Sequence, residues 1–109
     1  MREPTRRLAA VLAAACLPGA ALAAAPDGAR QEALLHLLRQ DCGACHGMTL
    51  KGGLGPSLLP GALAGKDAAD LALVVLEGLP GTPMPPWKVE LSPEEAAWLV
   101  DRLKAGVGP

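Results

Sequence analysis

The chain has 109 residues, of which 10 are Lys or Arg and 11 are Asp or Glu, so its formal net charge is −1. This length suffices for one small domain, and the balanced charge argues against nucleic-acid binding, which needs a basic surface. Two Trp are present, with no Phe or Tyr. Because a small domain must bury much apolar surface to offset the entropy of ordering its backbone, we expect something other than aromatic side chains to fill its centre.

The first 23 residues have the pattern of a secretory signal peptide. They open with three arginines, continue through a ten-residue apolar run and end in small residues suited to cleavage, Ala21-Leu22-Ala23. The run is too short to span a bilayer, which takes about 20 apolar residues. We therefore predict a signal peptide at 1–23, export to a bacterial periplasm, and a domain at 24–109 that is soluble and monomeric.

Two alternatives remain for this segment. It would act as a retained anchor or buried helix if it were not cleaved, and Cys16 is a candidate for lipidation of a bacterial N-terminus. A lipoprotein signal usually has its leucine three residues before the cysteine, whereas Leu12 lies four residues before Cys16. We therefore expect no lipid anchor at Cys16.

Three helices are predicted in the rest of the chain. The first spans about 27–40, begins at Asp27 as N-cap, and has an apolar face formed by Ala33, Leu34, Leu37 and Leu38. The second spans about 68–77, between Asp67 as cap and Gly78. It is apolar on nearly all sides, which predicts burial on more than one side.

The third predicted helix begins at Ser92-Pro93-Glu94-Glu95 and continues to about Lys104. Its start combines a capping box with a proline at the first helical position. The two intervening loops, 47–66 and 78–93, hold eight and seven Gly or Pro residues, and such long irregular stretches are usually functional. Since no segment alternates long enough to predict a strand, the predicted class is small all-α with long loops.

The segment Cys42-Gly43-Ala44-Cys45-His46 is a C-x-x-C-H motif, the attachment signature of a c-type haem. Two thiols three residues apart can each form a thioether with a porphyrin vinyl group. The next residue can then present an imidazole nitrogen to the iron. We predict one haem c, bound covalently through Cys42 and Cys45 and ligated by His46.

Three other uses of the cysteine pair remain open. Structural zinc would need a second pair of ligands, and His36, expected on the solvent face of the first helix, is the only other histidine. A thioredoxin-like redox pair would need a βαβ context, which is not visible. A plain disulfide would suit an exported protein.

Met84 is the predicted second ligand of the iron. It lies between prolines that fix the local backbone, so its loop can hold a thioether sulfur with little loss of entropy. Met48 follows His46 by two residues and cannot easily reach the opposite face of the ring, so we expect it to pack within its loop. The alternative for Met84 is the filling of a gap in the core.

The order helix, C-x-x-C-H, Gly-Pro loop, helix, Met-Pro loop, helix resembles the class I cytochromes c. The resemblance covers 24–109 and implies an all-α shell around one haem, with the first and last helices packed together. Gly55-Pro56 resembles the family's Gly-Pro, whose proline carbonyl accepts a hydrogen bond from the ligand histidine. This implies that Pro56 orients His46, and the alternative for Pro56 is a simple turn.

One position departs from the family pattern. The family usually carries an aromatic residue near the end of its last helix, where this sequence has Arg102. Trp98 lies one turn earlier on the same flank, and we expect it to replace that packing with Arg102 over its ring. Trp87, after the Met loop, is expected either beside the haem rim or in ordinary core packing.

A closer resemblance comes from Gly52–Leu58 and Gly81–Trp87. These blocks are similar to the small periplasmic cytochromes encoded beside the cd-type nitrite reductase (the NirC type). The resemblance implies electron donation to nitrite reductase in denitrification. Other roles left open are maturation of the d-type haem of that reductase, general donation to a terminal oxidase, and a sensor or peroxidase-like enzyme with a labile Met84.

Ligation by both His46 and Met84 would saturate the iron. We therefore predict a one-electron carrier and not an enzyme. Its redox partners are expected to dock weakly on a small apolar surface without a nearby ring of lysines, formed by Gly43, Ala44, Pro83 and Pro85.

Overall fold

The computed structural model describes residues 9–16 and 25–108. Its described residues form helices joined by loops, without a strand, which confirms the predicted all-α class. No helix in this part of the chain is long and apolar enough to cross a membrane. Most of the predicted signal peptide, at 1–8 and 17–23, lies outside the described residues.

The first helical stretch is longer than predicted. Helix α1 (Gly28–Leu37) begins at the predicted N-cap, where the Asp27 carboxylate accepts a hydrogen bond of 2.9 Å from the Arg30 N–H. The chain then runs through a π-helical turn (Leu38–Cys42) into helix α2 (Gly43–His46). The predicted end near Gln40 is wrong because no residue there stops the helix, which ends only at Gly47, where φ is 91°.

The other two predicted helices are confirmed. Helix α4 (Ala68–Glu77) is capped by Asp67. Helix α5 (Pro93–Ala105) begins with the predicted capping box: the Ser92 hydroxyl accepts from the Glu95 N–H at 3.1 Å, and the Glu95 carboxylate accepts from the Ser92 N–H at 2.9 Å. One short helix, α3 (Pro60–Leu63), lies in a loop that was predicted to be irregular.

Leucines fill the core in place of the scarce aromatic residues. The largest buried cluster consists of Leu34, Leu38, Leu50, Leu63, Leu91, Leu99 and Leu103. Leu34 and Leu38 are the residues of the first helical stretch that belong to this buried cluster. Of the other two residues on the predicted apolar face, Ala33 is exposed and Leu37 is half-buried. The buried face of that stretch is therefore narrower than the predicted one.

Helix α4 packs mainly against α5. Ala72 lies in a second buried group with Ala96 and Val100 of α5. Side chains of α4 also pack against the leucine cluster, so the helix has neighbours on more than one side, as predicted, although Ala72 alone is fully buried. Five other side chains of α4 are half-buried, namely Ala68, Leu71, Val74, Val75 and Leu76.

The first and last helices are joined by an ion pair between Arg30 and Glu95. Arg30 also donates through Nη2 to the Glu90 carbonyl at 3.2 Å. Further along α5, the Arg102 guanidinium lies 6.0 Å from the centroid of the Trp98 ring. The expected placement of Arg102 over Trp98 is confirmed.

Candidate cofactor site

A cavity of about 770 Å³ lies among the helices and both Gly/Pro-rich loops. Its volume is within the range of roughly 300–1,000 Å³ that is common for small-molecule and cofactor sites. All five residues predicted to bind a cofactor line it: Cys42, Cys45, His46, Pro56 and Met84. The fold therefore brings together residues that are up to 42 positions apart in the sequence.

The walls of the cavity are mostly apolar. Helices α4 and α5 contribute Leu71, Val74, Val75, Leu99, Val100 and Leu103. Trp87 lines the cavity and also packs against the leucine core, so the expected core packing is present. Met48 is not among the lining residues and is 61% exposed. The other histidine, His36, is exposed as predicted.

The two cysteines lie on one side of the helical stretch because they are three residues apart. Cys42 ends the π-helical turn and is half-buried, whereas Cys45 is exposed, and both are free thiols. Burial, assisted by the charge of Asp41, raises the pKa of Cys42 to about 11. Burial thus disfavours the charged thiolate form of Cys42. The described residues also contain no cluster of three His, Cys, Asp or Glu side chains suited to a metal.

The imidazole of His46 is oriented by the following loop. Its Nδ1 lies 2.7 Å from the carbonyl oxygen of Pro56. Because a carbonyl can only accept, Nδ1 carries the proton and donates it, which leaves the lone pair of Nε2 free to bind a metal. The contact that the family resemblance implied for Pro56 is thus formed.

Gly55 makes this approach possible. A Cβ atom at Gly55 would lie 2.7 Å from Cε1 and 2.8 Å from Nδ1 of His46. The Gly55 N–H also donates to the Cys45 carbonyl at 2.8 Å, and the Gly52 N–H donates to the His46 carbonyl at 2.8 Å. These bonds fold the loop back onto α2. The sequence contained the Gly-Pro signal, but it did not reveal that the glycine contacts the histidine ring.

Met84 lies on a loop that closes back on the end of α4. The Leu79 N–H donates to the Met84 carbonyl at 3.2 Å, and the Trp87 N–H donates to the Val75 carbonyl at 3.0 Å. Within the loop, the Thr82 hydroxyl donates to the Leu79 carbonyl at 2.7 Å and accepts from the Met84 N–H at 3.3 Å. Met84 is half-buried in the cavity wall as a result.

The expected docking surface needs one correction. Ala44, Pro83 and Pro85 are exposed as predicted, but Gly43 is buried, because Met48 lies directly over it. Lys66 is the one lysine that lines the cavity in the described part of the chain. Helix α3 and the turn after it bring Lys66 to this side of the cavity, and the residue pattern of 47–66 did not predict that helix.

The chemistry of the lining suits the predicted haem. A neutral imidazole nitrogen and a thioether sulfur are both common axial ligands of haem iron. Two thiols for attachment line the same cavity, and its apolar walls suit a porphyrin face. Asp41 and Lys66 are the only charged side chains lining the cavity in the described part of the chain.

Comparisons with known proteins give a consistent result. Residues 29–101 match the family model "Cytochrome C oxidase, cbb3-type, subunit III". Cytochrome c55X of Pseudomonas aeruginosa is 57% identical over 100 residues, which cover 91% of this chain and 83% of that protein. The solved structure of the c-type cytochrome NirC has a TM-score of 0.75 at 56% identity, covering 77% of this chain and 100% of that one.

A second solved structure resembles the chain over a smaller part of its own length. It is dihydro-heme d1 dehydrogenase NirN in complex with DHE, with a TM-score of 0.59 at 40% identity. The match covers 64% of this chain and 15% of that one. The similarity is therefore to one small portion of a much larger protein.

Proposed function

This chain belongs to the c-type cytochromes, in the group of cytochrome c55X and NirC, and we propose that it is a periplasmic carrier of single electrons. Members of this family bind haem c covalently. The observation that carries this proposal is one apolar cavity lined by two thiols, an imidazole and a thioether. Residues 1–23 would direct export, and residues 24–109 would form the carrier domain.

Each site residue has a distinct task in this proposal. Cys42 and Cys45 would each add their S–H across one vinyl group of a single haem, forming two thioethers. His46 would ligate the iron through Nε2, and Met84 would ligate it through its sulfur. When bound, the haem supplies a one-electron change between ferric and ferrous iron.

The protein around these residues favours electron transfer over catalysis. The hydrogen bond from Nδ1 of His46 to the Pro56 carbonyl fixes the orientation of the ring and makes its other nitrogen, Nε2, a stronger ligand for a metal. The apolar walls exclude water and disfavour the extra charge of ferric iron. The walls and the methionine ligand would therefore both raise the reduction potential of the haem. With both His46 and Met84 as ligands, no position would remain open for a substrate.

Optical spectra of three holoproteins test the ligand set. We expect the ferric iron–thioether charge-transfer band in the wild type and in Met48→Ala, because Met48 lies outside the cavity lining. Met84→Ala should lose the band and bind carbon monoxide rapidly when reduced. A band that persists in Met84→Ala would exclude Met84 as the ligand. Rapid carbon monoxide binding by the wild type would favour the sensor or peroxidase-like alternative.

The proposed partner is the cd-type nitrite reductase. The similarity to a portion of dihydro-heme d1 dehydrogenase favours one second candidate, a role in maturing the d-type haem of that reductase. Stopped-flow mixing of the reduced protein with mature reductase separates the two roles. Electron transfer within milliseconds to seconds supports donation, whereas its absence on that scale favours maturation. Fast transfer to a terminal oxidase alone would support the general-donor alternative.

A further inference from the structure

We propose that Gly78 is a positioning residue for Met84: its close approach to the backbone of Met84–Pro86 holds the thioether in place at the cavity. The proposal rests on ligation by Met84, as proposed above. Gly78 lies six positions before Met84 in the sequence and does not itself line the cavity.

Gly78 has a conformation that other residues rarely adopt. Its φ is 69° and its ψ is −174°, a combination found essentially only in glycine. The Gly78 N–H donates to the Val74 carbonyl at 2.8 Å and so ends α4. The chain therefore leaves the helix in a direction that depends on glycine at this position.

There is also no room for a side chain at Gly78. A Cβ atom would lie 2.7 Å from the Met84 carbonyl oxygen, 2.8 Å from the Pro85 carbonyl carbon and 2.8 Å from the Pro86 nitrogen. All three are backbone atoms, which cannot rotate away as the end of a flexible side chain can. A methyl group would have to push this stretch of backbone away from α4.

The loop is built so that such a displacement would reach Met84. The prolines at 83, 85 and 86 restrict the backbone on both sides of Met84, so the loop has little freedom to absorb the change locally. The bond from the Leu79 N–H to the Met84 carbonyl uses the same oxygen that the methyl group would contact. Beyond the prolines, the Trp87 N–H anchors the loop to Val75 of α4.

Gly81 provides a matched control within the same loop. Its φ is 80°, so an alanine there is also strained, but a Cβ atom at Gly81 has no neighbour within 4 Å. Gly81→Ala therefore tests backbone strain without the collision, and Gly78→Ala tests both.

The experiment compares wild-type, Gly78→Ala and Gly81→Ala holoproteins by the ferric iron–thioether band and by titration with imidazole as a competing ligand. We expect Gly78→Ala to lose most of the band and to bind imidazole about tenfold more tightly, while Gly81→Ala stays close to the wild type. An unchanged band and affinity in Gly78→Ala, or equal changes in both variants, would overturn the positioning role. A wild type without the band would instead refute ligation by Met84.

A second pair of variants covers the case in which Gly78→Ala forms no holoprotein. Thr82→Val removes the hydroxyl that bonds to both Leu79 and Met84, and Thr82→Ser retains it. A weaker band in Thr82→Val, with recovery in Thr82→Ser, would show that closure of this loop onto the end of α4 sets the ligand. An unchanged band in both would overturn the proposal.

Discussion

The Nδ1 atom of His46 lies 2.7 Å from the carbonyl oxygen of Pro56, and this contact fixes which ring nitrogen is free to bind a metal. The contact depends on a loop that folds back onto α2 and places Gly55 against the same imidazole. The histidine is therefore held by backbone atoms of the loop, the Pro56 carbonyl and the main chain of Gly55. The position at which this arrangement is vulnerable is Gly55.

Gly55→Ala should displace the imidazole of His46. The added methyl group would lie 2.7 Å from Cε1, so either the ring or the loop must move. We expect the free energy of unfolding to fall by about 1–3 kcal/mol and less haem to be attached per chain. Thermal unfolding and the haem-to-protein absorbance ratio measure both effects.

Gly61→Ala is the control for this substitution. Gly61 lies in α3, where a Cβ atom has no neighbour within 4 Å. Alanine should raise stability there by about 0.5–1 kcal/mol, because it reduces the entropy of the unfolded chain. Wild-type stability and haem content in Gly55→Ala would contradict the proposed contact with His46.

Glu95→Gln should change the dependence of stability on pH. The hydrogen bond from Arg30, and then the bond from the Ser92 N–H, lower the pKa of Glu95 from 4.5 to about 2. Because the folded pKa is depressed, the stabilisation is complete above about pH 4.5 and is lost as the pH falls toward about 2. Glutamine can still complete the capping box, so the substitution removes mainly the charge.

We expect Glu95→Gln to lower the free energy of unfolding by about 1 kcal/mol at pH 7, a value reduced for the partial exposure of the pair. The difference from the wild type should vanish near pH 2. Denaturant titrations across this range measure it, and Glu94→Gln, an exposed neighbour on the same turn, is the control. Identical pH profiles for the two variants would refute the role of the Arg30–Glu95 pair.

The contact between Arg102 and Trp98 should contribute modestly to stability. The guanidinium lies 6.0 Å from the ring centroid, a separation at which a cation–π interaction at an exposed site is worth about 0.5–1 kcal/mol. A double-mutant cycle with Arg102→Ala and Trp98→Ala should give a coupling energy of that size. Strictly additive effects would show that Arg102 does not compensate for the missing aromatic residue.

The sequence predicted those features whose determinants are local. The N-caps Asp27, Asp67 and Ser92 were found because a short polar side chain before an apolar run satisfies nearby N–H groups wherever it occurs. The C-x-x-C-H spacing likewise predicted a pair of thiols and an imidazole on one cavity, since these residues are neighbours in the chain. In both cases the chemistry depends on residues within one helical turn.

Features that depend on distant contacts were missed. The π-helical turn at Leu38–Cys42 inserts an extra residue into the turn, and no residue type in that segment marks it. Helix α3 and the position of Lys66 depend on how the loop packs against α5. The lack of room for a side chain at Gly78 is due to backbone atoms of residues 84–86, which pack against it. The sequence shows only a glycine after a helix, and this pattern is the same whether or not a loop packs against that glycine.

The most direct test of the central claim is the intact mass of the exported, matured protein after denaturation and acid extraction, measured for the wild type and for the double variant Cys42→Ala/Cys45→Ala. We expect the wild type to retain the mass of one haem on a chain that begins at residue 24, and the double variant to retain none. A colourless wild-type protein whose mass equals that of the polypeptide alone would contradict a haem attached through these two cysteines.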